Sequence, residues 1–268
     1  MTIRRSQALA AGWLVAVIAA CAMAPWLTTA SPVQPVTQPL TVPFAYPPMG
    51  TDNLGRDEGS RFLYGGRVSL VASLSAAGLA VLLGTTAALL AQGLGGAADA
   101  TVVGGANTAL AIPGLLISLA VVAVLGPGIE AVVLAVGLGL SPGFARLARQ
   151  ALAQVRSEPY IAAAGALGAD GMDTARRHML PNALPRLLSL ATTHYAWAFA
   201  GITTLSFLGL SGSASRPEWG TMLNAARPYL REAAWLAFFP GAAIVATILS
   251  VHTLGEWLAR RVRPSAAG

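Results

Sequence analysis

Five stretches of this sequence run for twenty or more residues without a single charged side chain: 8–27, 68–91, 100–125, 187–211 and 233–255. A helix needs about 20 apolar residues to cross the hydrocarbon core of a bilayer. A sixth run, 131–145, lies between Glu130 and Arg146 and sits near the lower limit of length. Gly126, Pro127 and Gly128 read as a turn into which it can lengthen; the alternative is a buried helix of a soluble domain. Composition favours the membrane, with 55% of the chain hydrophobic and only 10% charged, against about 25% charged in a soluble domain. The expected fold is all-α, a polytopic membrane protein of six transmembrane helices.

Arginine sets the expected orientation. All 17 basic residues are Arg, and Lys is absent. With six spans, the N-terminus, the loop between spans four and five, and the C-terminal tail share one side. That side holds eleven Arg, from Arg4 and Arg5 to Arg260, Arg261 and Arg263, against five acids; the other side holds six of each. Positive residues mark the cytoplasmic face, so both termini and the central loop are expected in the cytoplasm. Arg4 and Arg5 before an apolar run also resemble a secretory signal, with Cys21 at a lipoprotein-like cleavage box. The apolar run continues through Trp26, longer than the usual h-region of about 7–15 residues, so the first span is read as retained.

Several chemistries are excluded. The net charge of +6 is spread over span ends and is not interleaved with aromatics, unlike a nucleic-acid surface. Cys21 is the only cysteine, which leaves no intrachain disulfide and no cysteine metal cage. No Gly-x-x-x-x-Gly-Lys-Ser/Thr loop occurs, so the chain holds no Walker-type ATP site. The three histidines are His178, His194 and His252, at no metal-ligand spacing. His194, inside the fifth span, is a candidate for a substrate or metal role as an intramembrane ionisable residue; the preferred reading is a neutral ring satisfied by an interhelical hydrogen bond. The tryptophans fall mostly near span ends, as an aromatic belt does.

The central loop reads Glu158-Pro159-Tyr160-Ile161-Ala162-Ala163-Ala164-Gly165-Ala166-Leu167-Gly168-Ala169-Asp170, and reaches Leu180-Pro181. Small residues give a smooth helix, Gly168 permits a left-handed cap, and Asp170 or Asp173 is placed to cap the next helix. Pro181 marks entry to the fifth span. A helix–glycine–helix elbow suits docking into a groove on a partner. This loop resembles the EAA loop of ABC importer permeases, with Ala162, Ala163 and Ala164 at the Glu-Ala-Ala positions and Gly168 and Leu180-Pro181 following. Ala162 replaces the family's Glu and His178 its Ile.

A second segment, Gly50-Thr51-Asp52-Asn53-Leu54-Gly55-Arg56-Asp57 continuing to Gly65-Gly66-Arg67-Val68-Ser69-Leu70, resembles the second permease subunit of dipeptide, oligopeptide and nickel importers. Ser206-Phe207-Leu208-Gly209-Leu210, Pro217-Glu218-Trp219-Gly220-Thr221-Met222-Leu223 and Trp235-Leu236-Ala237-Phe238-Phe239-Pro240-Gly241 match the same subunit. The resemblance spans about residues 48–263. The expected division is an N-terminal helix and extracytoplasmic segment, 1–67, and a permease domain, 68–263.

The resemblance implies a non-catalytic subunit that forms half of a translocation path for peptides, in a heterodimer with a homologous permease. It also implies cytoplasmic ATPase subunits or a fused ATPase, and an extracytoplasmic solute-binding protein. No cofactor is expected on this chain; ATP and Mg belong to the partner subunits. The implied coupling loop is Ala162, Ala163, Ala164, Leu167, Gly168, Ala169, Asp170 and Pro181. A nickel or metal-chelate importer is the alternative. A secondary transporter or an intramembrane protease is more remote: no membrane-centre carboxylate and no Gly-x-Ser-x-Gly occurs, although Pro113-Gly114 can break span three.

Asp52, Arg56, Asp57, Arg61 and Arg67 alternate in sign just before the second span. As a metal site or acid pair they are interrupted by arginines, and the residues themselves suggest a solvated, ion-paired turn. The sharper expectation is an ordered extracytoplasmic gate or docking surface built on them.

Overall fold

The computed structural model describes residues 2–44, 46–166, 168–212 and 216–262. Its first half comprises α1 (Thr2–Ala22), α2 (Ala24–Leu27), α3 (Glu58–Leu94), α4 (Gly96–Leu110), α5 (Gly114–Leu125) and α6 (Ile129–Arg156). There follow α7 (Pro159–Ala166), α8 (Gly171–Thr174), a π-helical turn (Ala175–Met179) and α9 (Leu180–Phe207). Last come α10 (Trp219–Ala226), a 3-10 turn (Arg227–Tyr229) and α11 (Trp235–Val262).

The central helix is α3, which runs unbroken across position 67, where the sequence reading divides the chain. Its packed face is made of small residues, including Ser69, Ala72, Ala76, Ala80, Gly84, Ala88 and Ala91. Small side chains let helix backbones approach closely, which in lipid replaces the hydrophobic drive for association. A Cβ on Gly84 would stand 2.7 Å from the backbone nitrogen of Ala145, and one on Gly137 would stand 2.7 Å from the Leu79 side chain. These contacts set α3 and α6 side by side and parallel. The antiparallel α9 closes on them, with Gly201 against Val136. Helix α11 packs on α9, and α1 on α11 and α3; Trp13 Nε1 donates to Thr247 Oγ1 at 3.2 Å.

The all-α, multi-helix membrane fold is as expected, while length and apolarity do not by themselves confirm the count of six spans. Among the described residues four helices are long and apolar enough to cross a membrane: α1, α3, α6 and α11; the pair α4 and α5 makes a fifth if counted as one span. That pair, expected as a single span over 100–125, bends by 89°. Pro113 lacks an N–H and disfavours helical geometry at the residue before it, so the helix stops at Leu110 and restarts at Gly114. Helix α9 has the length to cross, but His194, Tyr195 and its threonines reduce its apolarity. The short run 131–145 also differs from expectation. Gly126 (φ 84°) ends α5, so the helix starts at Ile129 and lengthens the other way, through Pro142 to Arg156.

The small-residue seam makes a prediction of opposite signs. Gly84→Ala forces the α3 and α6 backbones apart and costs about 1–3 kcal/mol. Gly78 faces open space, so Gly78→Ala is neutral or stabilising. Thermal unfolding of the two variants in detergent checks this, and equal melting temperatures would remove the close-approach argument.

Candidate functional site

One end of the bundle carries residues 28–57, the other the α7–α8 elbow. At the first end the backbone of 35–41 pairs with 51–57: Val36 N–H donates to Gly55 O at 2.8 Å and Leu40 N–H to Asp52 O at 3.0 Å. Gly55 (φ +74°) turns this hairpin-like segment, and a Cβ there would meet the Thr37 carbonyl. The Asp52 carboxylate organises the turn. Its Oδ1 accepts from Leu54 N and Arg56 N. Its Oδ2 accepts from Arg56 Nε at 2.7 Å and pairs with Arg61 Nε at 3.3 Å. Arg61 Nη1 also donates to Pro32 O at 2.9 Å. Asp57 caps α3, accepting from Gly59 N and Ser60 N.

This geometry corrects the solvated reading. Asp52 is 5% exposed and Arg61 2%, and Arg56, Asp57 and Glu58 are buried with them. Asp52, Glu58 and Arg61 lie against Met222, Ala225 and Leu236. The charges of this segment turn inward and tie the loop to the start of α3. Arg67 stands apart, exposed on the flank of α3. A buried ion pair is held by geometry and by added hydrogen bonds, and this carboxylate has both.

Beneath that segment α10 is wedged between α3, α9 and α11. Glu218, buried, accepts from Ser69 Oγ at 2.7 Å and from Thr221 N at 3.0 Å. Ser69 Oγ in turn accepts from Trp219 N at 3.1 Å. Trp219 is 0% exposed, so it is no part of an aromatic belt. Its Nε1 donates to Phe62 O at 2.8 Å, and its ring stacks on Phe62 at 5.3 Å. Gly66 makes room, since a Cβ there would stand 2.5 Å from both the Trp219 ring and Cys21 Sγ. Desolvation lifts Glu218 above the ordinary carboxylate range, opposed by the hydrogen bonds from Ser69 and the Gly220 and Thr221 amides. The sequence names both segments, but no spacing says that residues 149 apart meet.

At the other end the elbow leaves the bundle. Ala162 and Ala163 are exposed on α7, with Ala164 partly covered. Gly168 takes φ +91° with open space around it, and Ala169 N–H donates to Ala164 O at 3.1 Å. Asp170 stands at the start of α8 without a side-chain cap, and Asp173 pairs with Arg177 at 3.2 Å; the expected caps are not made. Pro181 lies exposed in the first turn of α9. Leu167 is outside the described residues. The elbow is rooted by Ile161, Ala175 and Met179, which pack with Phe144 and Leu152. Gly171 seats on Gly93: a Cβ on Gly171 would stand 2.5 Å from the Gly93 carbonyl oxygen, and one on Gly93 would meet the Met172 side chain.

His194 Nδ1 meets Leu190 O of its own helix at 3.1 Å, and its ring stands edge-on to Phe144 at 4.8 Å. The expected interhelical hydrogen bond is replaced by this local one. No group of three or more His, Cys, Asp or Glu that could hold a metal occurs among the described residues.

Residues 80–264 match the family described as binding-protein-dependent transport system inner membrane component. The chain is 34% identical over 244 residues to a dipeptide transport system permease protein of Alkalihalophilus pseudofirmus, covering 90% of this chain and 80% of that one. It is 35% identical over 216 residues to a glutathione transport system permease protein of Pectobacterium atrosepticum, covering 81% and 72%. Among solved structures, a chain of an inward-facing methionine ABC transporter superposes with a TM-score of 0.60 at 19% identity. That match covers 76% of this chain and 97% of the other, and at such identity it is a likeness of fold.

The Glu218 cluster yields its own test. Glu218→Ala strands Ser69 Oγ and Thr221 N–H in the interior and costs about 1–3 kcal/mol. With the folded-state value lifted by burial, the fold favours the protonated carboxyl, and its contribution to stability is lost as pH rises through that value. Unfolding followed between acid and neutral pH therefore shows a shallower pH dependence in Glu218→Ala than in the unaltered chain. A parallel profile would remove Glu218 as the titrating group.

Proposed function

Because the chain belongs to the family of binding-protein-dependent transport system inner membrane components, the permeases of ABC importers, we propose that it forms half of a peptide translocation path. The second half is a homologous permease subunit. Relatives that carry dipeptides, D,D-dipeptides and glutathione by their names support a short peptide as the solute. The bundle is a multi-pass membrane protein, and on this reading both of its termini face the cytoplasm.

The observation that carries the coupling role is the elbow at Ala162–Asp170. It presents small, exposed side chains around a glycine with left-handed backbone, at the end of the bundle opposite the buried-charge segment. Such a surface suits a shallow groove on cytoplasmic ATPase subunits or a fused ATPase, which hold the ATP and Mg. Its roots reach α3 through Gly171 and Gly93 and reach α6 and α9 through Met179 and Ile161. A push on the elbow is therefore delivered to the three helices at the centre of the bundle. ATP binding and release shift the population between inward and outward access through differential contact with the elbow. An extracytoplasmic solute-binding protein delivers the peptide at the other end, above residues 28–57.

Gly168→Val tests the coupling directly. Valine at a positive φ is strained, while the position has open space, so the bundle still folds and inserts. Peptide uptake and the ATPase activity stimulated by loaded binding protein are expected to fall together by about tenfold or more, the equivalent of about 1.4 kcal/mol. Wild-type coupling in that variant overturns the assignment.

Sidedness has its own measurement. A cysteine at Met49 is expected to react with an impermeant maleimide from outside, and a reporter fused after Arg186 is expected to report cytoplasm. A cytoplasmic Met49 reverses the topology.

A further inference from the structure

An open groove of about 610 Å³ runs between the first half of α3 and the start of α6. Its walls are apolar, built from Val68, Val71, Ile129, Val133 and Leu134. Two charged side chains of opposite sign stand on its rim: Arg67 from α3 and Glu130 from α6. Both are exposed. Neither takes part in any of the six ion pairs among the described residues.

The parallel register of the two helices fixes their relation. Gly84 lies against Ala145, and Gly137 against Ala76 and Leu79. The same register carried toward the helix starts brings Glu130 to within about one turn, about 5 Å along the axis, of Arg67. Arg67 is nine residues beyond Glu58, about 13 Å into the helix at 1.5 Å per residue. Glu130 is the second residue of α6, so both charges stand near the helix starts, on the rim of the groove they share.

We propose that this groove is a substrate subsite of the path and holds a short peptide by its two free ends. Arg67 faces the carboxylate and Glu130 the ammonium. The inference rests on the peptide-importer reading above and adds the residues that touch the peptide. Charge complementarity selects the occupant: a guanidinium makes paired hydrogen bonds to a carboxylate, and a carboxylate accepts from an ammonium. An extended chain of two or three residues spans at most about 7–11 Å, which two long side chains about one turn apart reach from either end. The apolar walls offer no further charge, so the peptide's own side chains meet a surface that does not discriminate among them. The volume falls in the ordinary range of small-ligand sites, about 300–1,000 Å³.

The test uses the complete importer in proteoliposomes, with tri-alanine as the probe at saturating binding protein. Arg67→Gln and Glu130→Gln are each expected to lower maximal uptake about tenfold, the loss of one charge-assisted contact. ATPase stimulation by loaded binding protein is retained, and Arg67→Lys keeps most of the uptake. Wild-type uptake in both Gln variants overturns the subsite and leaves the importer reading intact. If either variant fails to copurify with the partner permease, the groove is a subunit contact and the proposal falls. Joint loss of uptake and stimulated ATPase activity likewise assigns these residues to the conformational change instead. A wild-type importer that takes up another solute but no peptide removes the peptide reading itself, and this occupant with it.

Discussion

The rest of the structure depends on one hydroxyl. Ser69, on the packed face of α3, donates to Glu218 and accepts from the backbone of Trp219. Around it the Trp219 indole reaches Phe62 O and occupies the space left by the missing side chain of Gly66. Buried polar groups of this kind are stable only when each finds its partner. The cluster fixes α10 on α3, and α10 then supplies the surface of Met222 and Ala225 on which the buried Asp52–Arg61 pair rests. The N-terminal helix joins the same cluster through Cys21, packed beside Gly66.

The two ends of the bundle follow different physical rules. At one end charge is buried, paired and hydrogen-bonded to backbone, which ties Asp52 and Arg61 to Pro32 and to the start of α3. At the other the elbow exposes alanines and a glycine and holds itself only through its roots. Buried, paired charge at one end contrasts with exposed small side chains around a left-handed glycine at the other. The close α3–α6 seam runs between the two ends.

Much of the architecture was legible because its cause is local. Charge-free length announced the long helices and Gly168 announced the turn of the elbow, while Pro113-Gly114 was visible as able to break a span that was nonetheless expected to run through it. The family resemblance named Gly65–Ser69 and Glu218–Thr221 as related segments, without saying that they touch. The sign alternation at Asp52–Arg67 was visible but was read as solvated, since alternation fixes the presence of ion pairs and not which way they face. The cap expected from Asp170 or Asp173 is not made: Asp170 leads α8 without a side-chain hydrogen bond, and Asp173, inside α8, pairs with Arg177.

The sequence by itself determined the class of the molecule: apolar runs with no polar partner for their backbone must form helices in a bilayer. It also placed the elbow, since a glycine among small residues dictates local conformation. Tertiary structure alone decided which polar groups are buried and with whom. Ser69 and Glu218 meet across 149 positions, and Arg67 and Glu130 come to one groove from two helices. Those encounters are set by helix register, which depends on close contacts such as Gly84 on Ala145, and register between distant segments leaves no periodic signal in either one.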